Sequence, residues 1–137
     1  MFSTERQDLR NIFFESWRKH CEQLAPEPLE AQIIAVMLEH PEYHAILNQP
    51  HCYEEKEFLD SNPFLHMGLH LAVQEQINTN RPNGIHTIFA ELQKQTNDTH
   101  TAEHKMIDCL GLLLWDAQQK GAMPDEQHYL TSLQQLL

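Results

Sequence analysis

Histidine pairs with three residues between them are the feature of this sequence best suited to chemistry. The chain has 10 histidines in 137 residues. Six of them form pairs of one spacing: His40/His44, His66/His70 and His100/His104. On a helix, residues four positions apart lie on the same face, one turn above each other. Two imidazoles at that spacing can bind one metal ion, because neutral imidazole is a ligand for Zn, Fe, Ni and Cu.

The second pair is predicted to face the protein interior. At about 100° per residue, these two histidines share their helical sector with three apolar residues: Leu69, Val73 and Ile77. A buried imidazole needs a polar partner, which is either an ion or a hydrogen-bonding group. The sector therefore favours a metal site or a buried polar network over a solvated surface.

The third pair lies on a helical strip that also contains Gly111 and Trp115. Both tryptophans of the chain, Trp17 and Trp115, are predicted to lie in the core. Asp108 follows His104 by one helical turn. Its carboxylate could bind the same ion, or it could accept a hydrogen bond from an imidazole and orient the ring.

The first pair depends on the helix continuing past a proline. His40 and His44 extend the apolar stripe of the second helix only in that case. Pro41 removes a backbone donor and disfavours helix at the residue before it. A kink or a short helix from Pro41 to Asn48 is therefore predicted.

Proline, asparagine and glycine mark the ends of the helices that position these pairs. Asn62 followed by Pro63 is a favourable helix start, and this third helix is predicted to end near Asn78. Asp98 or Thr99 begins the fifth helix, which ends at Gly121. The other predicted helices are Thr4–Leu24, one from Pro28, Gly84–Gln95 and one from Pro124, with an irregular acidic loop over Gln49–Ser61.

The sequence predicts an all-α fold. No alternating strand pattern of useful length occurs, so the simplest architecture is a single-domain antiparallel helical bundle of about five to six helices over residues 1–137. In an up-and-down bundle, helices two, three and five present their histidine pairs at the same end. This topology predicts that the three pairs converge.

The net charge of −11 excludes nucleic acid as the expected partner. Phosphate binding needs a basic stripe, and the sequence has none. The acidity favours cations and cationic proteins. The sequence does not decide between a homodimer and binding to another protein.

The remaining composition predicts a cytoplasmic protein. The chain has an odd number of cysteines, Cys21, Cys52 and Cys109, and it has no Cys-x-x-Cys motif. This pattern favours a reducing compartment. The first residues, MFSTERQDLR, lack the apolar segment of a signal peptide. The uncharged run near Leu110 is too short to cross a bilayer, so no membrane association is predicted.

Two functions from different classes fit these residues. The first is a transition-metal site (Zn, Fe or Ni) with core ligands His66, His70, His100 and His104 and with Asp108, His40 and His44 as completing ligands. The second is a non-catalytic interaction or regulatory protein in which the histidines form a structural hydrogen-bond network without an ion. Glu-x-x-His, His-Glu-x-x-His, phosphate-binding glycine loops and Gly-x-Ser-x-Gly are all missing. Catalytic residues and enzymatic activity therefore stay undetermined.

Most of the chain resembles a known family. The segments EHPEYHAIL, NPFLHMGLHLAVQEQ, RPNGI and AEHKMIDCLGLLLWDAQQKGAMPDEQHYL are similar to a proteobacterial domain-of-unknown-function family, number eighteen-forty-one. The resemblance begins at about Leu29. It implies a small cytoplasmic bacterial protein and supplies no reaction.

Overall fold

Helices account for nearly all the regular structure in the computed structural model, which describes residues 2–54, 56–58 and 61–137, with side chains from residue 8 onward. The helices in these residues are α1 (Phe2–Cys21), α2 (Pro28–Leu38), α3 (His44–Leu47), α4 (Pro50–Tyr53), α5 (Pro63–Thr79), α6 (Ile85–Thr96), α7 (Thr99–Lys120) and α8 (Glu126–Gln134). A 3-10 turn, Pro41–Tyr43, precedes α3. The all-α prediction is confirmed, with more helices than predicted because α3 and α4 are separate short helices.

The chain packs as two units, Met1–Gly68 and Leu69–Leu137, and the boundary falls inside α5. The expectation of a single domain over residues 1–137 stays a prediction. None of the helices in the described ranges combines the length and the hydrophobicity needed to cross a lipid bilayer.

In the first unit, α1 packs against α2. Phe13 and Trp17 of α1 are buried, as are Ile33 and Met37 of α2, so the core prediction for Trp17 is confirmed. The Trp17 indole Nε1 also donates a hydrogen bond to Asn48 Oδ1 at 2.8 Å. This bond fixes the chain just after α3 against α1.

A buried arginine holds the segment that follows α4. Arg10 of α1 is 1% exposed, and its Nη1 donates to the carbonyl oxygens of Lys56 (2.6 Å) and Tyr53 (3.0 Å). Its guanidinium carbon lies 4.9 Å from the ring centroid of Phe64 and 5.5 Å from that of Phe58. The backbone carbonyls satisfy the buried cation, and the rings cover its faces.

The predicted loop over Gln49–Ser61 is wrong at its start, where α4 forms a single turn of helix. Pro50 is the first residue of α4, the position where proline is favoured because the first helical N–H has no helical partner. Glu55, Leu59 and Asp60 of this segment lie outside the described residues.

Local capping chemistry fixes the ends of α5 and α7. Asn62 Oδ1 accepts hydrogen bonds from the backbone N–H groups of Phe64 (3.0 Å) and Leu65 (3.2 Å). Asp98 accepts from the backbone of Thr101, and Gly121 ends α7 with φ of 61°. The predicted starts of these helices and the predicted end of α7 are confirmed.

The second unit has its core between α5, α6, α7 and α8. Buried residues in this core include Val73, Ile85, Leu92, Met106, Leu110, Tyr129 and Leu133. Trp115 is 60% exposed, so its predicted place in the core is wrong. The physical reason is that the packed face of α7 passes through Leu110, Leu113 and Ala117, and Trp115 lies away from it.

Tyr129 is expected to make the stability of the second unit depend on pH in the alkaline range. Its hydroxyl donates to Gln76 Oε1 at 2.7 Å, and burial raises the pKa of Tyr129. The unfolded tyrosine loses its proton near pH 10 while the folded one keeps it. The free energy of unfolding is therefore expected to fall above about pH 10, by up to about 1.4 kcal/mol per pH unit from this group.

Urea unfolding at pH 8 to 11 checks this expectation. Lysines and cysteines titrate in both proteins, so the difference between wild type and Tyr129→Phe isolates the tyrosine. The wild type is expected to lose stability faster than Tyr129→Phe above pH 10. Parallel curves for the two proteins would contradict the assignment.

Candidate metal centre

Helices α5 and α7 bring His70, His100, Glu103 and His104 together in the second unit. His70 is fully buried, and Glu103 is 3% exposed. His100 and His104 are half-buried. Because Asp98 fixes the start of α7, the last three of these residues occupy its first two turns, facing α5. Convergence of the third pair with His70 is confirmed.

The imidazole rings are in mutual contact. The His70 and His100 rings are stacked, with centroids 5.0 Å apart and planes 17° apart. The centroid of His104 lies 4.9 Å from that of His70 and 4.1 Å from that of His100. The three rings therefore form one compact cluster.

Each nitrogen of His70 faces a different partner. Nε2 lies 3.1 Å from Nε2 of His104, a normal hydrogen-bond length. Nδ1 lies 3.6 Å from Oε2 of Glu103, which is longer than a hydrogen bond. If neutral His70 carries its proton on Nε2, that N–H donates a hydrogen bond to Nε2 of His104. Nδ1 is then unprotonated, and its lone pair faces the Glu103 carboxylate.

The spacing on the Nδ1 side resembles that between two ligands of one metal ion. Tetrahedral bonds of 2.0–2.1 Å put neighbouring ligand atoms about 3.3–3.4 Å apart. His70, His100 and Glu103 each offer one ligand atom, and these three atoms lie within 4.8 Å of one another. The group is therefore geometrically capable of holding an ion after a small contraction. Its donors are two imidazoles and one carboxylate.

His40 and His66 lie in the first unit and contact each other, with perpendicular rings and centroids 5.0 Å apart. His40 is buried, and its ring stacks on Tyr43. Nδ1 of His40 donates to the carbonyl of Val36 at 2.8 Å, so Nε2 is the unprotonated nitrogen of the neutral ring. A metal-binding role for either residue stays a prediction from the sequence.

His44 and Asp108 have different surroundings. Nε2 of His44 donates to the carbonyl of Met37 at 2.8 Å, and its ring packs on Trp17. The predicted break at Pro41 takes the form of the 3-10 turn, which ends the register of α2 before His44. Asp108 is exposed on α7.

The remaining four histidines are exposed: His20, His51, His86 and His128. They provide matched controls for substitutions at the buried cluster.

A family model for a domain of unknown function, DUF1841, matches residues 5–135, nearly the whole chain. The chain belongs to the DUF1841 family. No curated protein and no solved structure matches it. The family description of DUF1841 assigns no reaction.

Glu103 is the member of this cluster that the spacing of the histidines did not identify. The chain contains no Glu-x-x-His motif but has the reverse order, His100-x-x-Glu103. Residues three apart on a helix are neighbours on its surface, so a search for carboxylates within one turn of either histidine would have found it.

Proposed function

We propose that this protein binds one divalent transition-metal ion through His70 Nδ1, His100 and Glu103. The observation that carries the proposal is the 3.6 Å separation of His70 Nδ1 and Glu103 Oε2 in a pair that is almost fully buried. A buried carboxylate is costly unless a positive charge or several donors compensate it. A divalent cation between these atoms supplies that charge.

His104 acts beside this site as the partner that orients His70. Metal-bound imidazoles commonly donate their second N–H to another group, which fixes the tautomer and the ring orientation. The 3.1 Å contact between the Nε2 atoms of His70 and His104 suits that role. Two histidines and one glutamate suit Zn²⁺ and Fe²⁺. Three protein ligands leave a coordination position for water or a substrate.

The competing function is a structural histidine network in a non-catalytic interaction protein. It is favoured by the same His70–His104 contact, which is a complete hydrogen bond without any ion. In that case Glu103 neutralises His70 when the ring is protonated. The two functions differ in whether the cluster retains an ion.

Either function suits a cytoplasmic protein. Cys21, Cys52 and Cys109 are free thiols, which supports a reducing compartment. The ion would then come from the exchangeable intracellular metal pool.

Metal content of protein purified without an affinity tag tests the proposal. After chelator treatment, Co²⁺ titration is expected to reach one equivalent and to give visible absorption of a low-coordinate site. Glu103→Gln keeps the size of the side chain but removes its charge. Loss of this first-sphere carboxylate is expected to weaken binding by at least about 100-fold, since mutating even an outer-sphere partner typically costs 10–100-fold.

Glu91→Gln is the matched control, because Glu91 is exposed on α6 and its loss is expected to leave Co²⁺ affinity unchanged. Much less than one equivalent of bound metal in the wild type would overturn the proposal. Equal affinities for the wild type and Glu103→Gln would overturn this ligand set.

A further inference from the structure

A groove runs between α7 and α8 in the second unit, apart from the histidine cluster. It consists of two cavities of about 260 Å³ and 340 Å³ that share Leu113, Asp116 and His128 as lining residues. The lining extends along α7 from Cys109 to Lys120. At 1.5 Å per residue, that stretch is about 16 Å long, or three helical turns. We call it the α7–α8 groove.

Large apolar side chains stand exposed along this groove. Leu112 is 70% exposed, Trp115 60% and Met123 88%, and all three line it. Scattered exposed apolar residues are ordinary, but exposed apolar residues that together line a cleft are typical of an interaction surface. Tryptophan is enriched among the residues that dominate binding energy, and methionine adapts to varied apolar partners.

The charges around the groove are mainly acidic. Asp116 lines both cavities and Asp125 lines one, and exposed Asp108 lies one turn before Leu112. Lys120 pairs with Asp116 at 3.0 Å. With a net charge of −11, two copies of the chain repel each other, whereas a cationic partner is attracted.

We infer that the α7–α8 groove binds an amphipathic helix of a partner protein, with an apolar stripe flanked by lysine or arginine. Its length matches three turns of helix, and its exposed apolar side chains with acidic residues beside them match the helix-in-groove mode of recognition. Leu112, Trp115 and Met123 contact the apolar stripe, while Asp108, Asp116 and Asp125 face the basic flanks. The inference does not depend on metal binding.

Fluorescence anisotropy with a labelled 18-residue helical peptide tests the inference. The probe carries leucines at positions i, i+3, i+4 and i+7 and lysines on the flanks; a second probe has glutamates in place of the lysines. The lysine probe is expected to bind at least about 10-fold more tightly at low salt. Leu112→Gln is expected to weaken its binding at least about 10-fold, with a blue shift of Trp115 emission on binding to the wild type.

Leu29→Gln provides the matched control, because Leu29 is 53% exposed on α2, outside the groove. Both variants replace an exposed leucine, so circular dichroism is expected to be unchanged. Absence of binding, or equal binding of the two probes, would overturn the inference. Sedimentation equilibrium tests for self-association. If the wild type self-associates and Leu112→Gln does not, the groove binds a second copy of the chain, and the inference is overturned.

Discussion

Replacing Arg10 with alanine is expected to lower the free energy of unfolding by about 3–5 kcal/mol. The substitution removes a cation that is 1% exposed. It also leaves the carbonyl oxygens of Lys56 and Tyr53 without their guanidinium donor, and it opens a cavity between the rings of Phe58 and Phe64. Urea unfolding followed by circular dichroism measures the loss.

Arg10→Lys and Arg18→Ala separate the causes of this effect. A lysine keeps the charge but lacks the planar fork that reaches two carbonyls and stacks between rings, so Arg10→Lys is expected to be destabilised as well. Arg18 lies on the same helix, where it forms exposed ion pairs with Glu15 and Glu22. Its loss is expected to change stability little. Similar stabilities for Arg10→Ala and Arg18→Ala would contradict the role of Arg10.

Helix ends could be predicted closely wherever the deciding chemistry is local. Asn62, Asp98 and Gly121 act on backbone groups within one turn of their own position, so residue type alone identifies them. The same logic applied to Pro50 would have predicted α4. Arg10 could not have been assigned in this way, because its partners lie 43 to 46 residues away.

Which side of a helix faces the core could be predicted only in part. His70 was placed correctly because Val73, one turn later, repeats its apolar sector. On α7 the apolar residues are spread around the helix. Periodicity predicts which residues share a side of α7, but it does not predict which side packs against the neighbouring helices. Trp115 is therefore exposed where burial was predicted, and Glu103, not Asp108, faces α5 beside His100.

Zn²⁺ is expected to raise the free energy of unfolding of the wild type but not of His70→Ala. An ion that binds only the folded state stabilises it by about 2.7 kcal/mol when the free ion is at 100 times its Kd. His70 holds the centre of the cluster, with Glu103 on one nitrogen and His104 on the other. Removing the ring would delete one ligand of the proposed metal site together with the contact to His104. Urea unfolding with buffered Zn²⁺ and with chelator measures the increment.

The gain in the free energy of unfolding on adding Zn²⁺ distinguishes a metal site from a structural network better than the stability without the ion does. Under either function, His70→Ala loses about 1–3 kcal/mol without the ion, because it empties a buried site and leaves His104 without that partner. Only a metal site makes the wild type respond to Zn²⁺ while His70→Ala does not. His86→Ala removes an exposed histidine of the same unit and is expected to keep the full increment. Equal increments in His70→Ala and His86→Ala would place the ion elsewhere, and no increment in the wild type would leave the network as the function of the cluster.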